Sequence, residues 1–214
     1  NTAGFDRLDA FAHELALCVF DGYGLHQTAQ RIHPGSGGLG GAFFFDRSWD
    51  KMKLIGVTGT KGKSTTTSMI KAILDIHCGR EIGFSSGIYT YDGCHKEKAY
   101  KLTTPETIEL HRILDNCVKN GCEYLAMEVS SQALKYDRTL DLNYEACAFT
   151  NISRDHISDA EHKDMEDYCD AKGKLFGICD TGCVNADDAW MPRLVRGASC
   201  RLMTYSARAD ADLV

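Results

Sequence analysis

Residues 54–67 place the tightest constraint on what this chain can fold into. The apolar pair Leu54-Ile55 leads into G-V-T-G-T-K-G-K-S-T-T-T, from Gly56 to Thr67. Strand, glycine-rich loop and helix in that order make a phosphate-gripping turn. Its glycines let successive backbone N–H groups face one anion, and the following helix offers its positive end. Lys63 can reach terminal phosphates, and the Ser64 hydroxyl can ligate Mg²⁺. The general pattern G-x-x-x-x-G-K-[ST] is broken at its first glycine, where Val57 stands between Gly56 and Gly59. A chance glycine-rich turn is the bland reading, and the order of the elements argues against it.

The bulk numbers narrow the partners. A net charge of -6 sets the chain against nucleic acid. The sequence has no apolar run long enough for a bilayer and no signal-like start, so a cytoplasmic protein without a membrane partner is expected. No partner protein is inferred. Ten cysteines raise a metal or disulfide reading, but none forms a C-x-x-C pair. Several fall on apolar helix faces or in apolar strands, where a thiol acts as a small hydrophobe. They read as reduced core residues.

Along the chain, residues 5–20 read as one amphipathic helix and 33–41 as a glycine-rich connector. A compact unit starts near Lys51. Expected strands are Lys53–Thr58, Tyr124–Val129, Ala146–Thr150, Cys183–Asn185 and Leu202–Tyr205, with a hairpin around Asp92-Gly93. Expected helices are Lys63–His77 (with His77 on its buried face), Pro105–Asn120 capped by Thr104, Asp164–Phe176 and Asp188–Arg196. Alternating strands and helices imply an α/β fold with a doubly wound, mostly parallel sheet.

In such sheets ligands bind at the carboxyl ends of strands. There the run Tyr124–Met127 delivers Glu128, Ser130 and Ser131. The run Ala146–Phe149 delivers Thr150, Asn151, Asp155 and His156. Glu128 beside a phosphate loop is a candidate Mg²⁺ ligand. Its bland reading is a helix-capping or surface carboxylate, and that of His156 is a structural histidine. Lys172 interrupts an apolar helical stripe of Met165, Tyr168, Cys169, Leu175 and Phe176. Snorkelling is the bland account. The other is a neutral amine that adds CO₂ and becomes an anionic carbamate.

Five segments together resemble the Mur ligase family: the loop, L-T-T-P-E-T from Leu102, M-E-V-S-S-Q-A-L from Met127, F-T-N-I-S-R-D-H from Phe149 and D-A-K-G-K-L-F from Asp170. The loop's glycine spacing is normal in that family. The resemblance implies an ATP-dependent amide ligase that adds a diamino acid to UDP-MurNAc-L-Ala-D-Glu through an acyl phosphate. It implies ATP, Mg²⁺ and CO₂ (as a carbamate on Lys172) as cofactors. Lys63, Glu128, His156 and Lys172 are the implied catalytic set. Gly59, Thr60, Lys61, Gly62, Lys63, Ser64, Thr65 and Asn151 would hold nucleotide; Thr103, Thr104, Ser130 and Arg138 the acceptor. Ser64, Glu128, His156 and Lys172 would hold metal. Two positions depart from the family: Gln132, often histidine, and Tyr136, which aligns with a common glutamine.

By the same resemblance, residues 1–50 would be the remnant of a first domain plus linker. Residues 51–214 would be an incomplete central ATP-binding domain, and the C-terminal domain that selects the amino acid would be absent. A fragment inactive alone is therefore expected. Alternatives are a related ligase with another acceptor (folylpolyglutamate synthetase, cyanophycin synthetase, a lipid II amidating enzyme) or a non-catalytic nucleotide-binding module.

Overall fold

The computed structural model describes residues 45, 47–99, 102–139, 141–158, 161–208 and 210–213. The helix expected over 5–20 and the connector over 33–41 lie outside them. Within them, the central strand-like runs become strands covered on both faces. β1 (Lys53–Thr58) alternates its apolar residues between two cores. Leu54 packs in one with Leu125, Tyr144 and Phe149; Ile55 and Val57 pack in the other with Ala126 and Ala148. This is the pattern of a sheet buried on both sides.

The remaining strands are β2 (Gly83–Ser85), β3 (Tyr89–Tyr91), β4 (Lys96–Lys98), β5 (Tyr124–Glu128), β6 (Tyr144–Phe149), β7 (Cys179–Asn185) and β8 (Arg201–Tyr205). They join in the order β4-β3-β2-β5-β1-β6-β7-β8. The six strands from β2 to β8 in that order pair in parallel, and β3 and β4 extend one edge antiparallel.

Helix α1 (Lys63–Cys78) sets Ile70 and Leu74 on one face of the sheet. Helix α2 (Thr107–Lys119) sets Leu110, Ile113, Leu114 and Cys117 on the other, with Tyr168 and Cys169 of α4 (Met165–Gly173). Two shorter helices are α3 (Ser131–Lys135) and α5 (Met191–Leu194). The sheet is thus doubly wound, as the alternation of elements implied.

Several local expectations need correction. Thr104 does not cap α2. Pro105 and Glu106 separate it from the helix, whose N-cap is Glu106 with no side-chain bond. The Thr104 hydroxyl instead donates to Glu128 O at 2.9 Å and accepts from Ser130 N at 2.9 Å. His77 is exposed rather than buried, and its neighbour Cys78 is the residue of the last turn that packs against the sheet's core. The helix expected over 164–176 tightens after Gly173 into a 3₁₀ turn, Lys174–Gly177. A Cβ on Gly173 would lie 2.6 Å from Leu194 O, so α4 meets α5 too closely for a larger residue. The helix expected over 188–196 is only α5, since Asp188 accepts from Trp190 N and forms a turn instead. β2 was not foreseen at all.

Candidate active site

β1 lies between β5 and β6, with Val57 level with Glu128 and Thr58 level with Phe149. Three carboxyl ends therefore open side by side: Gly59 after β1, Glu128 of β5 and Thr150 after β6. This is the crevice where connections diverge to the two sides of the sheet.

The loop 59–62 is held by the segment after β6. Thr60 N–H donates to Asn151 O at 2.8 Å, and Lys61 N–H to Asn151 Oδ1 at 3.0 Å. Asn151 Nδ2 and Thr150 Oγ1 both donate to Lys61 O, at 2.9 and 2.8 Å. Gly59 has φ 151°, and a Cβ there would run into Thr150 Oγ1. Gly62, at φ 84°, is the N-cap of α1. With Asn151 on the amides of Thr60 and Lys61, the N–H groups at the start of α1 are left for an anion. Sequence reasoning put Thr60 and Lys61 among nucleotide contacts; here their amides serve the loop's shape.

Two amines meet at the loop. Lys63 Nζ donates to Gly59 O at 3.0 Å and Thr60 O at 3.1 Å. Lys172 Nζ reaches Gly59 O at 2.9 Å. Lys172 is 1% exposed and sits 4.4 Å from the centre of the Tyr168 ring. Burial, with the Lys63 charge adding to it, pushes the Lys172 amine down to about 7. Burial also lowers Lys63, against an opposing pull from Glu128. Glu128 is 2% exposed and accepts from Gly87 N at 3.1 Å. Lys63, Lys172 and Glu128 thus share one electrostatic neighbourhood.

His156 reaches the same cluster through Tyr168, with ring centres 6.0 Å apart. Its Nδ1 lies 3.0 Å from Glu161 Oε2. Among the described residues, no group of three or more His, Cys, Asp or Glu could by itself hold a metal ion. Ser64, half-buried, follows Lys63 at the helix start. On the other side of Glu128, Thr104 joins Ser130, whose Oγ accepts from Ala133 N and caps α3. Half-buried Thr103 faces Gly87, and Arg138 pairs with Glu106 at 2.6 Å. A cavity of about 200 Å³ opens beside them, lined by Ser86, Leu102, Pro105 and Ile113 among others.

Sequence reasoning missed two participants, Tyr168 and Glu161, and placed Asp155 at this sheet edge without its partner. Tyr168 was seen only as core, yet its OH lies 3.2 Å from Thr60 Oγ1. Asp155 pairs with Lys61 at 3.1 Å. Glu161 holds both His156 and Gln132. An acid five residues after a histidine carries no periodic signal inside a loop. Tyr136, the other departure, is 56% exposed.

Comparisons with known proteins agree with this fold. The family description Mur ligase middle domain matches residues 57–214. A UDP-N-acetylmuramoyl-L-alanyl-D-glutamate--2,6-diaminopimelate ligase of Clostridium perfringens is 39% identical over 174 residues, covering 79% of this chain and 35% of that relative. A UDP-N-acetylmuramyl-tripeptide synthetase of Bifidobacterium longum is 42% identical over 147 residues, covering 68% of this chain and 28% of that relative. A solved UDP-N-acetylmuramoyl-L-alanyl-D-glutamate--2,6-diaminopimelate ligase superposes with a TM-score of 0.62 at 25% identity, over 74% of this chain and 33% of that one. The chain spans about a third of the length of the relatives it matches.

Proposed function

This chain belongs to the Mur ligase family, and we propose that it carries the ATP-binding part of a peptidoglycan-synthesis ligase. The ligase adds a diamino acid to UDP-N-acetylmuramoyl-L-alanyl-D-glutamate in the cytoplasm. The named activity of the clostridial relative supports 2,6-diaminopimelate as that amino acid. Residues 51–214 are the central ATP-binding domain in this reading.

One observation carries it. A half-buried amine, Lys63, and a buried one, Lys172, converge on the carbonyl of Gly59 just ahead of α1. A lysine held at the positive end of a helix forms a seat for a polyanion, and the Lys172 amine lies beside it. Lys63, Gly59, Gly62, Ser64 and Thr65 would hold the phosphates of ATP, with Thr60, Lys61 and Asn151 keeping the loop in shape beside the nucleotide. ATP, when bound, supplies the phosphoryl group that activates the acceptor carboxylate. Such transfer is mostly positioning and charge neutralisation, which these residues can supply.

The donor set also fits Mg²⁺. One buried carboxylate and a nearby hydroxyl fall short of a full cage, as expected for a cation held largely by phosphates and water. Glu128 and Ser64 would hold one ion, and His156 and Lys172 would help hold a second. With its amine brought down to about 7, Lys172 is partly neutral at physiological pH and open to CO₂. The carbamate would give it anionic oxygens suited to a hard cation. Thr103, Thr104, Ser130 and Arg138 would face the acceptor.

Phosphate release from ATP by the full-length protein tests the reading. UDP-MurNAc-L-Ala-D-Glu with diaminopimelate should stimulate it, and a folate with glutamate should not. Bound ATP that never turns over with any acceptor would leave a non-catalytic module instead.

A further inference from the structure

The carboxylate of Glu161 is a junction between the two sides of the site. His156 Nδ1 lies 3.0 Å from its Oε2 and 3.2 Å from its Oε1. Gln132 Nε2, from α3, lies 2.7 Å from Oε1. Lys135 Nζ, also from α3, donates to the Glu161 backbone oxygen at 2.7 Å. A carboxylate accepts and does not donate. The bond at His156 is therefore N–H donated from Nδ1, and the Gln132 amide must turn its NH₂ toward Glu161.

The backbone delivers Glu161 to this spot. His156 takes φ 58°, which turns the chain back. His162 N donates to His156 O at 3.2 Å, and Ser158 N to His162 O at 3.0 Å. The His156 side chain is 47% exposed, so without a partner its ring would be free to rotate.

We propose that Glu161 is a positioning residue that fixes the tautomer and aim of His156, leaving Nε2 as the one ring nitrogen able to take a cation. Among the described residues nothing else hydrogen-bonds this ring. A carboxylate behind a histidine N–H is the arrangement that orients and strengthens a metal-binding imidazole. Through Gln132 the same carboxylate ties the ring to α3, whose first residue follows Ser130. What Nε2 receives rests on the ligase reading above; the tautomer does not.

The experiment labels full-length protein with ¹⁵N-histidine and reads His156, assigned from a His156→Gln variant, at about pH 8, above the ordinary imidazole range. Wild type should carry its proton on Nδ1. Glu161→Ala should move His156 toward the Nε2–H form and weaken Mn²⁺ binding in the presence of ATP by about 10-fold. Glu161→Asp should restore part of both. An unchanged tautomer in Glu161→Ala, or an Nε2–H ring in wild type, overturns the proposal. If Glu161→Ala does not fold, Glu161→Gln carries the same test with an isosteric neutral amide and should show a smaller shift in the same direction. Wild type that takes up no Mn²⁺ with ATP defeats the ligase reading, while the tautomer still decides the role of Glu161.

Discussion

Lys63 and Lys172 set the local chemistry because two amines and one carbonyl oxygen share a buried corner. The Lys172 amine falls from its ordinary 10.5 to about 7, chiefly through burial and then through Lys63. A folded-state value below the unfolded one means the neutral amine is favoured on folding. Its stability contribution is fully present above about 10.5 and is eroded as pH falls toward about 7. Lys172→Met should therefore gain on wild type as pH falls, by on the order of a few kcal/mol across that window. Urea unfolding in CO₂-free buffer at several pH values measures this, and a gap independent of pH contradicts it. Gly59→Ala acts through shape, since its Cβ would strike Thr150 Oγ1 at a backbone angle that favours glycine. A loss of about 2–4 kcal/mol is expected, with ATP binding abolished in calorimetry. Both residues were legible in the sequence, Gly59 from the loop and Lys172 as a charge on an apolar stripe. Their shared oxygen was not, because it joins residues 113 positions apart.

Elements whose ends are set by local chemistry were read well, and those set by tertiary contacts were not. β1 matched its expected span, and Asp164 caps α4 by accepting from Asp167 N at 2.7 Å. Asp164→Ala should cost about 1 kcal/mol in thermal or urea unfolding, since the cap is exposed and isolated. The start of α2 was misplaced because Thr104 has a better use. Its buried hydroxyl bridges the end of β5 to the start of α3, a contact no local pattern announces. Thr104→Val keeps the shape but leaves Ser130 N–H without that acceptor. A loss of about 1–3 kcal/mol is expected. Because the cap of α3 shifts with it, acceptor-side binding should fall more than ATP binding, as titration of each ligand would reveal. Equal losses on both sides would argue that the bond stabilises the domain and does not position the site.

At the scale of the whole molecule, alternation along β1 and the order of strands and helices made the doubly wound sheet readable. The strand order was not readable, since pairing is decided by non-local contacts. β2 has only three residues, and its place is set by Leu125, Ala126 and Met127 beside it. The cysteines show how composition becomes packing. A Cβ on Gly56 would lie 3.2 Å from Cys147 Sγ, and one on Gly83 would lie 2.7 Å from Cys117 Sγ. Thiols lie over strand glycines, where a small apolar group fills the space an absent side chain leaves. The cysteines among the described residues are all free thiols. Cys94 is exposed, Cys78 and Cys200 are intermediate and the other six are buried. Brief iodoacetamide treatment of the native protein should therefore modify Cys94 first and Cys78 and Cys200 more slowly. The six buried thiols should react only as fast as the domain opens, and all at a similar rate, because they lie in one continuous sheet or in the cores packed on it. Early labelling of Cys147 or Cys117, read by peptide mass mapping, would mean that the strands around the phosphate loop separate well below global unfolding. The rigidity on which the site's geometry depends would then be lost.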